Sequence, residues 1–172
     1  MPHINDLLSK SAGLAPTGAS DGDCSSSTGQ VYCRSAAYEN YFAIMYSWYM
    51  PKDEPSDGLG HRHDWENIVL WLSDDTLDAT IEGIAVSQHG GYVTTTNPDL
   101  DGDNPTVGYI SYWPLDHCLI ETTTVGGTQP LIAWESLTTA AQEALDDTDF
   151  GDAIVAFKDS DFTSYLEEAY FF

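Results

Sequence analysis

Two apolar segments enclose a polar loop, and this arrangement constrains the fold more than any other feature of the chain. Residues 43–50 and 68–72 are rich in aromatic and aliphatic side chains, whereas residues 51–66 carry two prolines, two histidines and five acids. Apolar runs separated by Pro and Gly are typical of strands joined by a loop. We therefore expect a strand, a loop and a return strand that hold polar side chains at one end of a β-sheet.

The charge balance excludes several classes of partner. The 172 residues contain 28 acids and 5 bases, a formal charge of −23, with no Lys or Arg between Ser73 and Phe157. Such a surface repels the phosphates of nucleic acid and of anionic lipid, so we expect no nucleic-acid partner. Most acids are interpreted as solvated surface residues, with a cation-binding group as the alternative. With 42% hydrophobic residues, the chain is apolar enough for a single domain over 1–172.

No membrane-spanning helix or signal peptide is predicted. The most apolar stretch, 41–50, is shorter than the roughly 18–20 residues that a spanning helix needs. Residues 1–10 lack the basic start and long apolar run of a signal peptide, so the protein either stays in its cell or the chain begins after processing or truncation. Cys24 and Cys33 flank a Ser-rich turn and are able to pair, leaving Cys118 free, but three reduced cysteines fit almost as well.

The pattern along the chain predicts a mainly β domain. Residues 1–29 are rich in Ser, Gly and Asp and are predicted to be an irregular lead-in. The predicted strands are 30–35, 38–50, 66–72, 80–87, 106–113 and 129–134. Helices are predicted at 138–145 and 161–169, the second with Asp161 as a candidate cap. Short strands followed by helices predict a β-sandwich flanked by α-helices.

The polar loop ends in a cluster of ionisable residues. In an extended strand, Arg62, Asp64 and Glu66 share one face, and His63 and Trp65 share the other. Two carboxylates on one face repel each other unless a positive group neutralises them. Two interpretations are open at this point: Arg62 supplies the positive charge, or a bound divalent cation does.

The cation hypothesis adds Asp53 and His61, from the two ends of the loop, to Asp64 and Glu66. Mostly oxygen ligands with one imidazole favour Mg²⁺, Ca²⁺ or Mn²⁺ over Zn²⁺, which prefers His and Cys. The H-x-H-D order is superficially like that of dinuclear metallohydrolases. It lacks their second downstream His, however, and its acid comes one place early, so metal-dependent hydrolysis is disfavoured.

Three other segments carry weaker signals. Residues 99–103 are like a calcium loop, but the Gly is misplaced and Ile110 stands where a Glu is needed, so an acidic surface turn is predicted. His89 has no nucleophilic Ser beside it and is assigned to a turn or to the core. Pro114 should end the strand before it, which places Trp113 and His117 on or beside a loop. A core position for Trp113 is equally open.

Two central segments resemble the signature of the necrosis- and ethylene-inducing peptide 1-like proteins, secreted cytolysins of plant-associated microbes. These segments are AIMYSWYMPKD at 43–53 and GHRHDWE at 60–66, in the order and at the spacing of that family. The likeness extends to GLAPTG at 13–18, HGGY at 89–92, LIAW at 131–134 and TDFGDA at 148–153. It implies an actinoporin-like β-sandwich with α-helices outside.

The resemblance also implies a divalent cation, Mg²⁺ or Ca²⁺, in an acidic cavity. The residues that line this cavity by resemblance are Asp53, His61, Asp64 and Glu66. His117 falls where the family has another cavity histidine, and Trp113 falls at a Trp of a membrane-contacting loop. His63 and Arg62, within the same signature, are further candidate ligand contacts.

Proteins of this family recognise the sugar headgroup of plant glycosyl inositol phosphoryl ceramides, settle on the outer leaflet and make it leak. A cation held by carboxylates is able to coordinate sugar hydroxyls, and an exposed Trp is an interfacial anchor. The resemblance therefore implies a secreted, monomeric cytolysin that is not an enzyme. Residues 43–66 also resemble the family peptide that plants detect as a microbial pattern.

The chain departs from the family pattern in three respects. We expect the family's N-terminal strand to be missing, together with a first cysteine whose partner is at Cys24; Cys33 is a candidate substitute. A missing strand would leave a sheet edge bare. At a charge of −23, binding to a phosphate-bearing headgroup would depend on cations and salt. A non-lytic, cation-dependent glycan-binding or immune-eliciting protein is therefore the alternative.

Overall fold

The central hairpin of the fold is formed by the two apolar segments and the polar loop between them. β2 (Tyr41–Asp53) pairs in antiparallel register with β3 (His61–Leu72), from Phe42 opposite Leu72 to Asp53 opposite His61. This computed structural model describes residues 13–15, 17, 29–56, 58–112 and 116–172. The prediction of a strand, a loop and a return strand is confirmed.

Six strands form the main sheet, in the order β10-β1-β2-β3-β4-β5. The remaining strands are β1 (Val31–Tyr38), β4 (Ile81–Gln88), β5 (Gly91–Thr95), β6 (Leu100–Asp101), β7 (Asn104–Pro105), β8 (Val107–Tyr112), β9 (Asp116–Glu121) and β10 (Leu131–Ala133). β10 runs parallel to β1, and the other neighbours in this sheet are antiparallel. β6 and β7 form one separate hairpin, and β8 and β9 form another.

Apolar side chains cover both faces of the main sheet. Because side chains alternate along a strand, Ile68 of β3 packs on one face with Leu119 of β9, whereas Trp71 packs on the other face with Leu166 and Ala169 near the C-terminus. The β8–β9 hairpin thus forms a second β layer, and helical segments cover the opposite face. This arrangement confirms the predicted β-sandwich flanked by α-helices.

The helical segments follow the last strand of the sheet. They are a 3-10 helix (Trp134–Ser136), α1 (Thr139–Asp147) and α2 (Phe162–Ala169). The hydroxyl of Thr138 caps α1 by accepting the Ala141 N–H at 3.3 Å. The predicted cap at Asp161 is wrong, because its carboxylate accepts the Ser160 hydroxyl instead of a helix N–H. None of the helices in the described ranges has the length and apolar character to span a bilayer.

Some predicted elements have different bounds, and four short strands are not predicted. β1 continues to Tyr38, beyond the predicted end at 35, and the predicted end of β8 at Trp113 lies outside the described residues. The sequence pattern misses the short strands β5, β6, β7 and β9. Most of the predicted lead-in 1–29, including Cys24, lies outside the described residues. The candidate pairing of Cys24 with Cys33 therefore lies outside the described residues as well. Cys33 is half-buried in β1, and Cys118 is buried in β9.

β3 and β4 separate towards one end of the main sheet. Their paired register ends at Ile68 opposite Val86. Beyond this point the backbone N–H of Asn67 donates to the hydroxyl of Ser87 at 2.9 Å instead of to a strand carbonyl. Within the described part of the chain, residues 61–66 therefore pair with β2 on one side and with no strand on the other. This opening lies beside the polar residues of the hairpin.

Candidate functional site

The β2–β3 hairpin brings the two ends of its loop together. Asp53 is the last residue of β2 and lies opposite His61, the first residue of β3. Gly60 allows this close approach, because its φ is 98° and a Cβ there would overlap the Asp53 carbonyl. The His61 Nε2 consequently lies 3.5 Å from the Asp53 Oδ2.

Asp53 is buried between two histidines. Its Oδ1 contacts two nitrogens of His117. It accepts the backbone N–H at 3.1 Å and lies 2.5 Å from the ring Nδ1. The His117 ring stacks on Tyr109, with 4.7 Å between ring centroids. β9 thus holds an imidazole against the end of β2, although 64 residues separate His117 from Asp53 in sequence.

Asp64 is the second buried carboxylate of the site. Its Oδ2 accepts the Tyr109 hydroxyl at 2.7 Å. Burial raises the pKa of Asp64 to about 6, the Tyr109 hydrogen bond opposes this rise, and the nearby charge of Asp53 adds to it. The same surroundings raise the pKa of Tyr109, chiefly through burial and the charge of Asp64, so its hydroxyl remains a neutral donor.

His61 is the imidazole that faces the buried carboxylates at this end of the hairpin. Burial lowers its pKa, but the backbone carbonyls of Arg62 and His63 and the carboxylates of Asp53 and Asp64 outweigh burial and leave the pKa raised. Its Nδ1 lies 2.9 Å from the His63 carbonyl oxygen, which orients the ring. One half-exposed imidazole therefore faces two buried carboxylates.

Glu66 is the third carboxylate, and it lies at the opening between β3 and β4. The side chain is 8% exposed, and its Oε2 accepts the hydroxyl of Ser87. The backbone carbonyl of Glu66 accepts the Ser47 hydroxyl at 3.0 Å, which fixes this part of β3 against β2. Glu66 thus stands between the face with Asp64 and the face with the helices.

A single cleft of about 230 Å³ contains these groups. Five of the predicted site residues line it: Asp53, His61, Asp64, Glu66 and His117. No Lys or Arg of the described residues lines the cleft. Three of its carboxylates are buried together, and histidines and hydroxyl and backbone N–H donors relieve their mutual repulsion in part, so the cleft attracts cations.

The donor set suits a hydrated hard cation. Carboxylate oxygens with one or two imidazoles are ligands of Mg²⁺ and Ca²⁺ rather than of structural Zn²⁺. Among the residues that the structure describes, no group of three acidic, histidine or cysteine side chains forms a ready-made metal cage. Mg²⁺ commonly keeps several waters and is held by one or two carboxylates. Asp53, Asp64, Glu66 and His61 could therefore hold such an ion.

Two other predicted ligand contacts are not brought into the cleft. Arg62 is exposed and donates to the Gly13 carbonyl at 3.0 Å. It does not lie between Asp64 and Glu66, so the interpretation that Arg62 neutralises these acids is wrong. His63 is 3% exposed and bonds Tyr49 Oη through Nδ1 at 2.7 Å on the other face of β3.

Burial, together with the charge of Arg62, lowers the pKa of His63, so the imidazole is neutral and structural. Trp113, the candidate membrane contact, lies outside the described residues. His89 occupies the β4–β5 turn with a φ of 52° and lines the cleft, which agrees with the turn assignment. Residues 99–103 contain an exposed hairpin turn, as predicted.

Tyr109, Ser87 and Asn67 are the site residues that sequence reasoning missed. Tyr109 and Ser87 donate to the carboxylates of Asp64 and Glu66, and Asn67 follows Glu66 in β3. Tyr109 carried no signal beyond its place in a predicted strand. The sequence did offer a signal for Asn67, because it is a polar residue at the start of an apolar run.

Comparisons with known proteins assign the chain to a family. The family model described as "Necrosis inducing protein (NPP1)" matches residues 1–169. This chain belongs to the NPP1 family. Among its relatives, NLP effector protein 1 of Phytophthora capsici is 47% identical over 176 residues, covering 99% of this chain and 75% of the relative. Necrosis-inducing protein NPP1 of Phytophthora nicotianae is 48% identical over 177 residues, with the same coverage.

Solved structures of NPP1-family proteins have the same fold. NLPPya in complex with glucosamine superimposes with a TM-score of 0.84 at 50% identity, covering 93% of this chain and 76% of that one. The non-toxic HaNLP3 protein superimposes with a TM-score of 0.80 at 37% identity, covering 94% of this chain and 84% of that one. The predicted family membership is therefore confirmed, and the family fold includes both a sugar-binding and a non-toxic member.

Proposed function

We propose that this protein is a cytolysin that binds the glycosylated headgroup of a plant sphingolipid through a divalent cation and permeabilises the membrane. The observation that carries the proposal is the cleft in which Asp53, Asp64 and Glu66 are buried, with no Lys or Arg of the described residues lining it. A divalent cation would neutralise these acids and offer its remaining coordination positions to sugar hydroxyls. The binding step requires no bond cleavage, and we propose no enzymatic activity.

The electrostatics of the cleft support a cation rather than protons alone as the neutralising species. Burial raises the pKa of Asp64 to about 6, so this carboxylate is mostly ionised at neutral pH despite its unfavourable surroundings. A bound cation with two charges stabilises ionised carboxylates. Mg²⁺ and Ca²⁺ are the ions that fit oxygen donors. The imidazoles of His61 and His117 contact Asp53 and hold its carboxylate in the cleft.

The size of the cleft and the relatives support a sugar as the ligand. The cleft has a volume of about 230 Å³ and is lined largely by polar side chains, which suits a short saccharide. NLPPya has been solved with glucosamine and with mannosamine. We propose that this protein likewise binds a terminal sugar, and that it does so as a secreted monomer at the outer leaflet of the target membrane.

Vesicle leakage tests this proposal. Dye-loaded vesicles that contain glycosyl inositol phosphoryl ceramide should leak with Mg²⁺ or Ca²⁺ and stop leaking with EDTA. Asp53→Asn keeps the side-chain shape but removes one charge, so leakage should fall at least about 10-fold, as for other losses at metal sites. Asp101→Asn, which removes an exposed charge on β6, is the matched control and should leak normally. Leakage by Asp53→Asn equal to that of the control would contradict the cation role.

A non-lytic glycan-binding or immune-eliciting protein is the second candidate. HaNLP3 is described as non-toxic although its fold matches at a TM-score of 0.80, so the fold alone does not require lysis. This candidate predicts cation-dependent sugar binding, measured by calorimetry with glucosamine, without leakage from the same vesicles. Leakage together with binding would favour the cytolysin.

A further inference from the structure

The cleft continues from the carboxylates of the cation site to the helix-covered face of the main sheet. It passes through the opening where β3 and β4 separate, with Glu66, Asn67 and Ser87 at the passage. Asp64 and Asn67 stand on opposite faces of β3, because an odd number of positions separates them. One ligand that extends through the opening could therefore contact both faces of the sheet.

The part of the cleft on the helix-covered face is called here the helix-side lobe, and it is lined by Asn67, Tyr92, Asp152, Tyr165 and Glu168. The Tyr92 hydroxyl donates to the Asn67 Oδ1 at 2.5 Å. Burial, with Tyr165 and Glu168 nearby, raises the pKa of Tyr92 and keeps this hydroxyl neutral. Glu168 extends from α2 towards β5, because a Cβ added at Gly91 would lie 3.8 Å from its Oε1.

The side-chain amide of Asn67 has unused hydrogen-bonding capacity in this lobe. Asn67 is only 4% exposed, and its Oδ1 is engaged by Tyr92. The Nδ2 group, which carries two donors, has no partner among the described residues. If the amide were turned around, an unpartnered oxygen would take its place. Asn67 lines the cleft, so its Nδ2 group is available to donate to a polar ligand in the helix-side lobe.

We propose that the helix-side lobe is a second saccharide subsite, which binds the sugar unit next to the one held at the cation. This inference rests on the proposed function of the cation site. The Asn67 amide and the Glu168 carboxylate supply a donor and an acceptor for ring hydroxyls, and Tyr92 and Tyr165 supply amphipathic aromatic surfaces. A concave surface with a few polar groups directed towards one point is typical of small-ligand sites.

Calorimetry with a monosaccharide and a disaccharide tests the second subsite. The probes are glucosamine and its β-1,4-linked dimer, each titrated into the full chain with Mg²⁺ or Ca²⁺. The dimer should bind more tightly than glucosamine. Glu168→Gln should weaken dimer binding about 3- to 10-fold, the loss expected for a partly solvated charge-assisted hydrogen bond, and should leave glucosamine binding unchanged.

The matched control is Glu167→Gln, which removes the neighbouring exposed charge of the same helix outside the cleft. It should bind both sugars normally. Equal affinity of the wild type for both sugars, or equal behaviour of the two variants, would overturn the second subsite while leaving the cation site intact. If Glu168→Gln lowered the affinity for both sugars equally, the second subsite would also be overturned, because the lobe would then bind the first sugar. Binding of neither sugar by the wild type would refute both proposals.

Discussion

Along β3, one end buries ionisable groups and the other buries hydrocarbon. Asp64 and Glu66 are 9% and 8% exposed, and no Lys or Arg of the described residues lines the cleft that holds them. Five positions beyond Glu66, Trp71 is fully buried among Tyr38, Tyr41 and Tyr170. The same strand thus passes from a polar cleft to an aromatic cluster.

This difference indicates a division of labour between stability and binding. Burying large aromatic side chains stabilises the fold by several kcal/mol each. Burying carboxylates without a cation opposes folding, because ionised groups lose their hydration. We infer that the aromatic end compensates for a cleft that is destabilising until it binds its ligand, which is the usual relation between a functional site and its scaffold.

The largest effect is expected from Trp71→Ala at the aromatic end. The substitution removes a fully buried indole whose centroid lies 5.4 Å from that of Tyr170 and 5.9 Å from that of Tyr38. Urea denaturation should show a loss of about 3–5 kcal/mol in the free energy of unfolding, as for other large-to-small aromatic substitutions. Sugar affinity should be unchanged in the fraction that stays folded.

Leu77→Ala is the control for this substitution, because Leu77 is fully exposed. Its free energy of unfolding should change by less than about 0.5 kcal/mol. If Trp71→Ala were as mild as this control, the aromatic cluster would not be the source of stability, and the division between the two ends of β3 would not hold.

Asp64→Asn, at the cleft, should raise the free energy of unfolding, whereas Trp71→Ala lowers it. Burial raises the pKa of Asp64 to about 6 in the folded protein without a bound cation, against a reference of 3.8. A raised folded pKa gives stability that is complete below about pH 4 and is lost as pH rises through 6. At pH 7 the amide avoids a cost of roughly 3 kcal/mol, from about two units at 1.36 kcal/mol each.

Urea denaturation at pH 4 and pH 7 measures this effect. Without cation, Asp64→Asn should be more stable than the wild type at pH 7 and equal to it at pH 4. Addition of Mg²⁺ or Ca²⁺ should stabilise the wild type more than the variant. A variant that is no more stable than the wild type at pH 7 in EDTA would mean that the cleft is not destabilising.

Sequence patterns locate the ends of β3 well, because alternation and loop signals are local. Residues 43–72 predict the hairpin, and Asp53 and His61 are expected to meet because one short loop joins them. The alternation of β3 also separates Asp64 and Glu66 from His63. In the structure His63 is indeed on the other face, buried against Tyr49.

The remaining parts of the site depend on contacts between distant segments. Tyr109 reaches Asp64 across 45 residues, and His117 reaches Asp53 across 64. Glu168 enters the cleft from α2. Residue spacing within a strand or helix carries no information on such packing, so sequence reasoning assigned the acids but not the donors around them. The His117 position came only from the family resemblance.

The smallest of the three changes in the free energy of unfolding is expected from Gly13→Ala, which tests how tightly the backbone is packed at the cleft end. Gly13 has a φ of 80°, and a Cβ there would lie 2.7 Å from His63 Cε1 and 3.0 Å from the Pro51 carbonyl oxygen. The imidazole is held by Tyr49 at 2.7 Å and by the ring of Phe150, so it cannot move aside. Gly13→Ala therefore adds a clash to a left-handed conformation and should cost about 2–3 kcal/mol.

Gly58→Ala separates the clash from the conformational strain. Gly58 has a similar φ of 78°, but nothing lies within 4 Å of its added Cβ. Its substitution should cost only about 1 kcal/mol, the penalty of the left-handed region alone. Equal losses for both variants in urea denaturation would mean that the packing around His63 yields. In that case the contacts at the cleft end would stabilise the fold less than those at the aromatic end, in their packing as well as in their electrostatics.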